Sequence, residues 1–154
     1  MSIVTRRGRE AGADEVALAD ATQELTWNAL DDVLNRVGNA LLAAVSPDTE
    51  RVAVFAENAL ETVAAHLGAI AVGTSTVPVS FHLTADELAY ILKDSDSRLL
   101  FVGPETAERG VAAARQCGLQ MVVGWRCADV DGVTDWDTWL AAAAADEPSS
   151  AAEP

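Results

Sequence analysis

The chain has 154 residues, half of them apolar and 22% charged, a balance that suits one folded domain and excludes a disordered chain. Its formal net charge is −14; so acidic a surface repels phosphate backbones and anionic lipid, which sets nucleic acid and membrane surfaces aside as main partners. Two cysteines, Cys117 and Cys127, are too few for a disulfide-stapled secreted domain, and with His66 and His82 they match no zinc spacing.

The start is polar, carries Arg6, Arg7 and Arg9, and leads into no apolar run. Residues 1–14 therefore read as a flexible tail and not as a signal peptide. No stretch reaches the ~18 uninterrupted apolar residues of a membrane helix, so a soluble cytoplasmic protein is expected. Glu15 to Asp20 and Glu24 to Trp27 are short extended runs, with Asp20-Ala-Thr-Gln23 suited to a hairpin turn. Thr26 or Asn28 then caps a helix in which Leu30, Val33, Leu34, Val37, Leu41 and Leu42 recur at three- and four-residue steps. Asp31, Asp32, Asn35, Arg36 and Asn39 fall between them, and Ser46-Pro47-Asp48 ends the helix.

Arg51 to Ala56 is a short apolar run of the kind buried on both sheet faces. Asn58, with Glu61 three residues on, reads as a capping box for a helix with the core stripe Leu60, Val63, Ala64, Leu67 and Ala71, stopped at Gly73. Thr74 to Val79 is a strand. Thr84 and Glu87 form a second capping box for a helix over 85–94. A strand at Arg98 to Val102, a helix from Thr106 to Gln116 ending at Gly118, a strand at Leu119 to Val123 and a short helix from Trp136 to Ala145 follow. Residues 146–154 are linker-like. From residue 51 the order is β-α-β-α-β-α-β, which implies an α/β fold: a mostly parallel sheet with helices on both faces, preceded by a short β-hairpin. The folded part spans residues 15–145.

The chemistry-bearing side chains form no complete active site. Neither G-x-G-x-x-G nor G-x-x-x-x-G-K-[ST] occurs. Gly73-Thr-Ser-Thr76 lacks the second glycine and the lysine of a phosphate loop and runs into Val77-Pro-Val79, so it reads as a helix stop feeding a strand. His66 lies mid-helix with no acid or nucleophile beside it and reads as a packed or half-exposed histidine. His82 follows a strand, where parallel sheets face ligands, and with Phe81 is the candidate to face one. Asp31-Asp32 and Asp94-Ser-Asp96 read as solvated charges. Trp136 and Trp139, one turn apart, read as the anchor of the last helix, ahead of a ligand platform. Nothing marks Cys117 as activated.

Two passages carry a resemblance. The first is Glu24-Leu-Thr-Trp-Asn-Ala-Leu30 followed by Val33-Leu-Asn-Arg-Val-Gly-Asn-Ala-Leu41. The second runs through Arg51-Val-Ala-Val-Phe-Ala-Glu-Asn58, Leu67-Gly-Ala-Ile-Ala-Val-Gly73, Val77-Pro-Val-Ser80, Leu83-Thr-Ala-Asp-Glu-Leu-Ala-Tyr-Ile-Leu92 and Asp94-Ser-Asp-Ser-Arg-Leu-Leu100. In order and spacing these resemble the opening motifs of the adenylate-forming superfamily of AMP-dependent synthetases and ligases, and among them the AMP-forming acyl-CoA synthetases. The chain departs from them at Ser80, where Asn is usual, at His82, where Arg is usual, and near Ala71, where a lysine is usual.

The resemblance implies the first part of the large N-terminal domain of an enzyme that joins a carboxylic or fatty acid to CoA through acyl-AMP, using ATP and magnesium. In that family the phosphate loop, the adenine, ribose and magnesium motifs and the adenylation lysine lie beyond the region matched here. No catalytic residue and no metal ligand is therefore carried over, no cofactor is expected for these 154 residues alone, and Lys93 is expected to face solvent. The chain is expected to be inactive by itself and, if its sheet leaves an apolar face or an unpaired edge open, to self-associate. The alternative is a stand-alone short paralogue that binds a ligand or a partner without catalysis; the reading frame downstream of codon 154 discriminates the two.

Overall fold

The computed structural model describes residues 12–44 and 51–149, together with Arg6, Gly8 and Glu10. Strands β1 (Val16–Ala19) and β2 (Glu24–Thr26) form an antiparallel hairpin. Helix α1 (Trp27–Ala44) follows, then β3 (Arg51–Phe55), α2 (Leu60–Ala71), β4 (Ser75–Val79), α3 (Ala85–Asp94), β5 (Leu100–Val102), α4 (Ala107–Cys117), β6 (Val122–Gly124), β7 (Thr134–Asp135) and α5 (Trp136–Ala141). Strands β3 to β7 form one sheet in the order β4-β3-β5-β6-β7, every neighbour parallel. The expected α/β order is thus present, with one addition: the two-residue strand β7, too short to register as a pattern.

Alternation of side chains along the strands produces two cores, one on each face of the sheet. Val52, Val54, Phe101 and Val123 pack with Leu34, Val37, Leu41 and Ala65 of α1 and α2. Ala53, Phe55, Leu100, Val102 and Val122 pack with Leu88, Leu92, Val111 and Ala114 of α3 and α4. Strands buried on both faces have no polar positions to alternate, which is why they appear in sequence as short continuous apolar runs. Val37 and Leu41 are wholly buried, and burial of such side chains contributes ~1.5–3 kcal/mol each. Helices α1 and α2 meet at Gly68, where an added Cβ would lie 2.5 Å from that of Val37.

The helix ends correct one expectation. The N-cap of α2 is Ala59, which has no side chain to cap with, and Asn58 and Glu61 form no capping box. The Leu60 N–H donates instead to Asp20 Oδ2 at 3.2 Å, so the hairpin turn supplies the cap. Glu61 is used elsewhere: it accepts from Gln23 Nε2 at 3.0 Å and pairs with Arg126 at 3.3 Å. The second capping box forms as expected. The Thr84 N–H donates to Glu87 Oε2 at 2.9 Å and the Glu87 N–H donates to Thr84 Oγ1 at 3.4 Å. Gly73 and Gly118, with φ of 81° and 76°, end α2 and α4 in the left-handed conformation that suits glycine.

The polar side of α1 is not the solvent face its pattern suggests. Asp31 and Asn35 are buried, which corrects the expectation that Asp31-Asp32 are solvated charges; Asp32 alone is exposed. Arg36 Nη1 donates to Ala143 O at 2.6 Å, Asn35 Nδ2 to Ala145 O at 3.0 Å, and Asn39 Nδ2 to Ala144 O at 2.9 Å and Asp146 O at 2.8 Å. These side chains hold the carbonyls of the segment after α5, which ends at Ala141 and not at Ala145. Pro148 beyond it is buried. Trp136 and Trp139 anchor α5 as expected, each edge-on to Phe101 at 5.8 and 5.7 Å between ring centroids. Where the sequence reads as a tail, Arg6, Gly8, Glu10 and Gly12 are helical, and an added Cβ at Gly8 would strike the Trp27 ring. Among the described residues no helix is long and apolar enough to cross a membrane.

Candidate functional site

Crossovers leave β3 in opposite directions, first to β4 and then past β3 to β5. Chain segments therefore diverge between the carboxyl ends of β3 and β5, where doubly wound sheets open a ligand crevice. Here the crevice is filled by the chain's own groups. Thr106, wholly buried, donates from its hydroxyl to Phe55 O at 2.6 Å and accepts from the Gly103 N–H at 3.0 Å. Because its hydroxyl is spent in this way, it makes no side-chain cap for α4, whose N-cap it is. The Glu57 carboxylate lies over Gly103, where an added Cβ would come within 2.5 Å of both carboxylate oxygens. Its Oε2 is buried and makes no hydrogen bond among the described residues. The Arg109 guanidinium sits 5.2 Å over the Phe55 ring and donates to Leu83 O at 2.5 Å.

A cleft of about 320 Å³ opens one strand over, between the carboxyl ends of β3 and β4 and the first half of α2. Asn58, Thr62, His66, Ser80 and Phe81 line it together with Val54, Ala56, Pro78 and Val79. His66 Nδ1 is 2.9 Å from Thr76 Oγ1. Burial lowers the imidazole pKa below its usual 6.5 and keeps the ring neutral at pH 7. The cleft thus offers hydroxyls, an amide, a neutral imidazole and one aromatic ring, but no ionised group.

The two candidate ligand-facing residues part here. Phe81 is half-buried and lines the cleft. His82 is exposed, packs on Phe81 with ring centroids 4.0 Å apart, and is not part of the lining. Gly73-Thr-Ser-Thr76 ends α2 and enters β4, as a helix stop should. Lys93 is exposed in the last turn of α3. It borders a recess of about 220 Å³ shared with Asp96, Arg98 and Cys117. That recess is on the amino-end side of the sheet, where the Arg98 N–H bonds to Arg51 O, away from the cleft. Both cysteines are free. The buried Cys127 thiol is pushed up by burial and then by the carboxylates of Asp129, Glu57 and Asp135, the opposite of activation.

The residues present do not fit a nucleotide phosphate or its magnesium. Glu57 occupies the switch-point crevice, and Asp129 and Asp135 add negative charge beside Cys127. Among the described residues no group of His, Cys, Asp and Glu is arranged to hold a metal ion.

A family model described as "AMP-binding enzyme" matches residues 4–153. The chain is 35% identical over 95 residues to the 3-hydroxybenzoate–CoA ligase of Aromatoleum sp. (strain CIB), an alignment covering 62% of this chain and 18% of that one. It is 31% identical over 103 residues to the 3-hydroxybenzoate–CoA/4-hydroxybenzoate–CoA ligase of Thauera aromatica, covering 67% and 20%. Among solved structures, a benzoate CoA ligase from Burkholderia xenovorans LB400 superposes with a TM-score of 0.84 at 23% identity over 98% of this chain and 29% of that one. A Mycobacterium tuberculosis fatty acyl CoA synthetase gives 0.81 at 25% identity over 98% and 30%. The chain spans about a fifth of the length of the curated relatives it matches.

Proposed function

The chain belongs to the AMP-binding enzyme family, and we propose that it is the opening part of the N-terminal domain of an ATP-dependent carboxylic acid–CoA ligase, with a structural and not a catalytic role. The family match over residues 4–153 carries this reading. ATP, magnesium and CoA are cofactors and substrates of the whole enzyme and are bound outside these residues. Support for that division comes from the uncharged cleft and the carboxylate-filled crevice, since stabilising the charge that builds on phosphate oxygens requires cations and oriented N–H donors.

The named curated relatives act on hydroxybenzoates, so an aromatic acid is the first substrate class for the whole enzyme. Phe81, with His82 stacked on it, is the nearest this chain comes to a ligand-facing group. The test is exchange of labelled pyrophosphate into ATP by the purified chain, with 3-hydroxybenzoate and with fatty acids as the acid. Exchange is expected to stay at the no-enzyme background. Acid-dependent exchange above it means that these residues perform adenylation, and it removes the proposal.

A further inference from the structure

Lys93 is the only lysine of the chain; the other basic side chains are arginines, which stay protonated and take no acyl group. This one side-chain amine is placed beside a thiol. Lys93 stands in the last turn of α3, and Cys117 is the last residue of α4. The two helices share one core through Leu88, Leu92, Val111 and Ala114. Their ends meet at the recess of about 220 Å³, and both Lys93 and Cys117 line it.

Neither group is committed to structure. Lys93 is exposed and makes no ion pair among the described residues. Asp96, the one carboxylate in the wall, is taken by Arg98 at 2.8 Å. Cys117 is free and half-buried, and its thiol makes a long contact of 3.6 Å with Ala114 O. The other thiol, Cys127, is buried and lies outside the recess.

We propose that this recess is a self-acylation site, in which Cys117 takes an acyl group from a CoA thioester and Lys93 receives it from Cys117. The proposal rests on the ligase reading, because that reading makes such a thioester the product of the whole enzyme. In the first step the Cys117 thiolate attacks the thioester carbonyl carbon. A C–S bond forms at Cys117, the C–S bond to CoA breaks, and the departing CoA thiolate takes up the proton that Cys117 lost. In the second step the Lys93 amine, in its neutral form, attacks the same carbon. A C–N bond forms, the C–S bond to Cys117 breaks, and the proton from nitrogen returns to sulfur. The thiol is regenerated, and no oxidant or reductant is consumed.

The relay has an advantage over direct attack by the amine. A thiol is the better nucleophile near neutral pH, where lysine amines are almost wholly protonated. Once the acyl group is on Cys117, attack by Lys93 is intramolecular, and proximity of that kind replaces a slow encounter. The charged side chains of the wall are two cations against one carboxylate. They soften the repulsion that a chain of net −14 presents to an anionic thioester.

Incubation of the full chain with benzoyl-CoA near neutral pH, followed by peptide mass spectrometry, tests this. Amide-linked benzoyl is expected on Lys93 ahead of the chain's α-amine, although an α-amine is ordinarily the less protonated of the two. Cys117→Ser is expected to slow acylation of Lys93 about tenfold, since it removes the intramolecular route. Lys93→Arg is expected to leave the acyl group on Cys117 as a thioester that hydroxylamine releases. The first substitution keeps size and the second keeps charge, so both proteins should melt like the parent. Equal acylation of Lys93 in the parent and in Cys117→Ser, acylation of Lys93 that lags behind the α-amine, or a Lys93→Arg protein without a hydroxylamine-labile group would each overturn the proposal. The thioester is supplied ready-made, so none of these outcomes bears on pyrophosphate exchange, and the acylation site and the ligase reading fail separately.

Discussion

Asp20 caps a helix that begins 40 residues later. Its Oδ2 accepts from the Leu60 N–H at 3.2 Å. Its Oδ1 accepts from the Thr22 N–H and hydroxyl, both at 2.7 Å, and from the Gln23 N–H at 3.0 Å. One carboxylate thereby turns the hairpin and satisfies a free donor at the N-terminus of α2, and so ties the small antiparallel sheet to the parallel one.

Those hydrogen bonds, that of the Thr22 hydroxyl foremost, lower the Asp20 carboxyl pKa to about 2. A carboxylate with a lowered folded-state pKa contributes stability above its unfolded value near 3.8, and that contribution is lost as pH falls through about 2. Asp20→Ala is expected to lower the thermal midpoint at pH 7 by a few degrees. It should also remove part of the loss of stability that the parent shows between those pH values. Melts recorded across that range check both; a variant with the parent's acid profile would show that Asp20 does not cap α2.

Thr106 ties β3 to the loop after β5 from a wholly buried position. Thr106→Val keeps the shape and leaves Phe55 O and the Gly103 N–H without their partner, at an expected cost of ~1–3 kcal/mol. Thr106→Ser keeps the hydroxyl and should recover most of that loss. Urea unfolding of the three proteins reads the difference.

Arg36 and Asn39 bond to carbonyls of residues 143, 144 and 146. Paired substitution of Arg36→Met and Asn39→Ala is expected to leave the cores intact and to speed proteolytic clipping between residues 142 and 149 by an order of magnitude, ~10-fold. Mass spectrometry of the limited digest locates the cut. Equal rates in the parent and the variant would mean that the clamp does not hold the segment.

Burial lowers the His66 pKa, with the sign opposite to that of an ion-paired histidine. The unfolded chain takes up the proton first as pH falls. The stability owed to a neutral His66 is therefore complete above 6.5 and declines as pH drops from there toward the folded-state value. The ring resonances of His66 should titrate with a midpoint below 6.5, and His66→Gln should flatten the pH dependence of stability in that range. A midpoint at or above 6.5 contradicts a desolvated ring.

Much of the fold is legible in the residues, since α1, α3 and α4 carry amphipathic periodicity or capping signals that act within a few residues. Gly73 and Gly118 end their helices for reasons local to their backbone. The candidate site was less legible. Asn58 and Glu61 have capping-box spacing, but a carboxylate from another element took the Leu60 N–H and Arg126 drew Glu61 away. Asn35 and Asn39 look like solvent-facing positions until the segment after α5 is laid along them. Glu57 gives no sign in sequence that it will fill the switch-point crevice, because that depends on where β5 lies relative to β3.

The sequence by itself determined the α/β order, the family and the absence from these residues of a phosphate-loop motif, because each rests on periodicity or on residues close together in the chain. The tertiary structure alone decided which polar groups are spent on structure, since Asp20, Arg36, Asn39, Glu57 and Thr106 take their roles from neighbours that are distant in sequence. The physical reason is that a backbone donor or a carboxylate answers to whatever lies within hydrogen-bonding distance, and the packing of the sheet sets that distance.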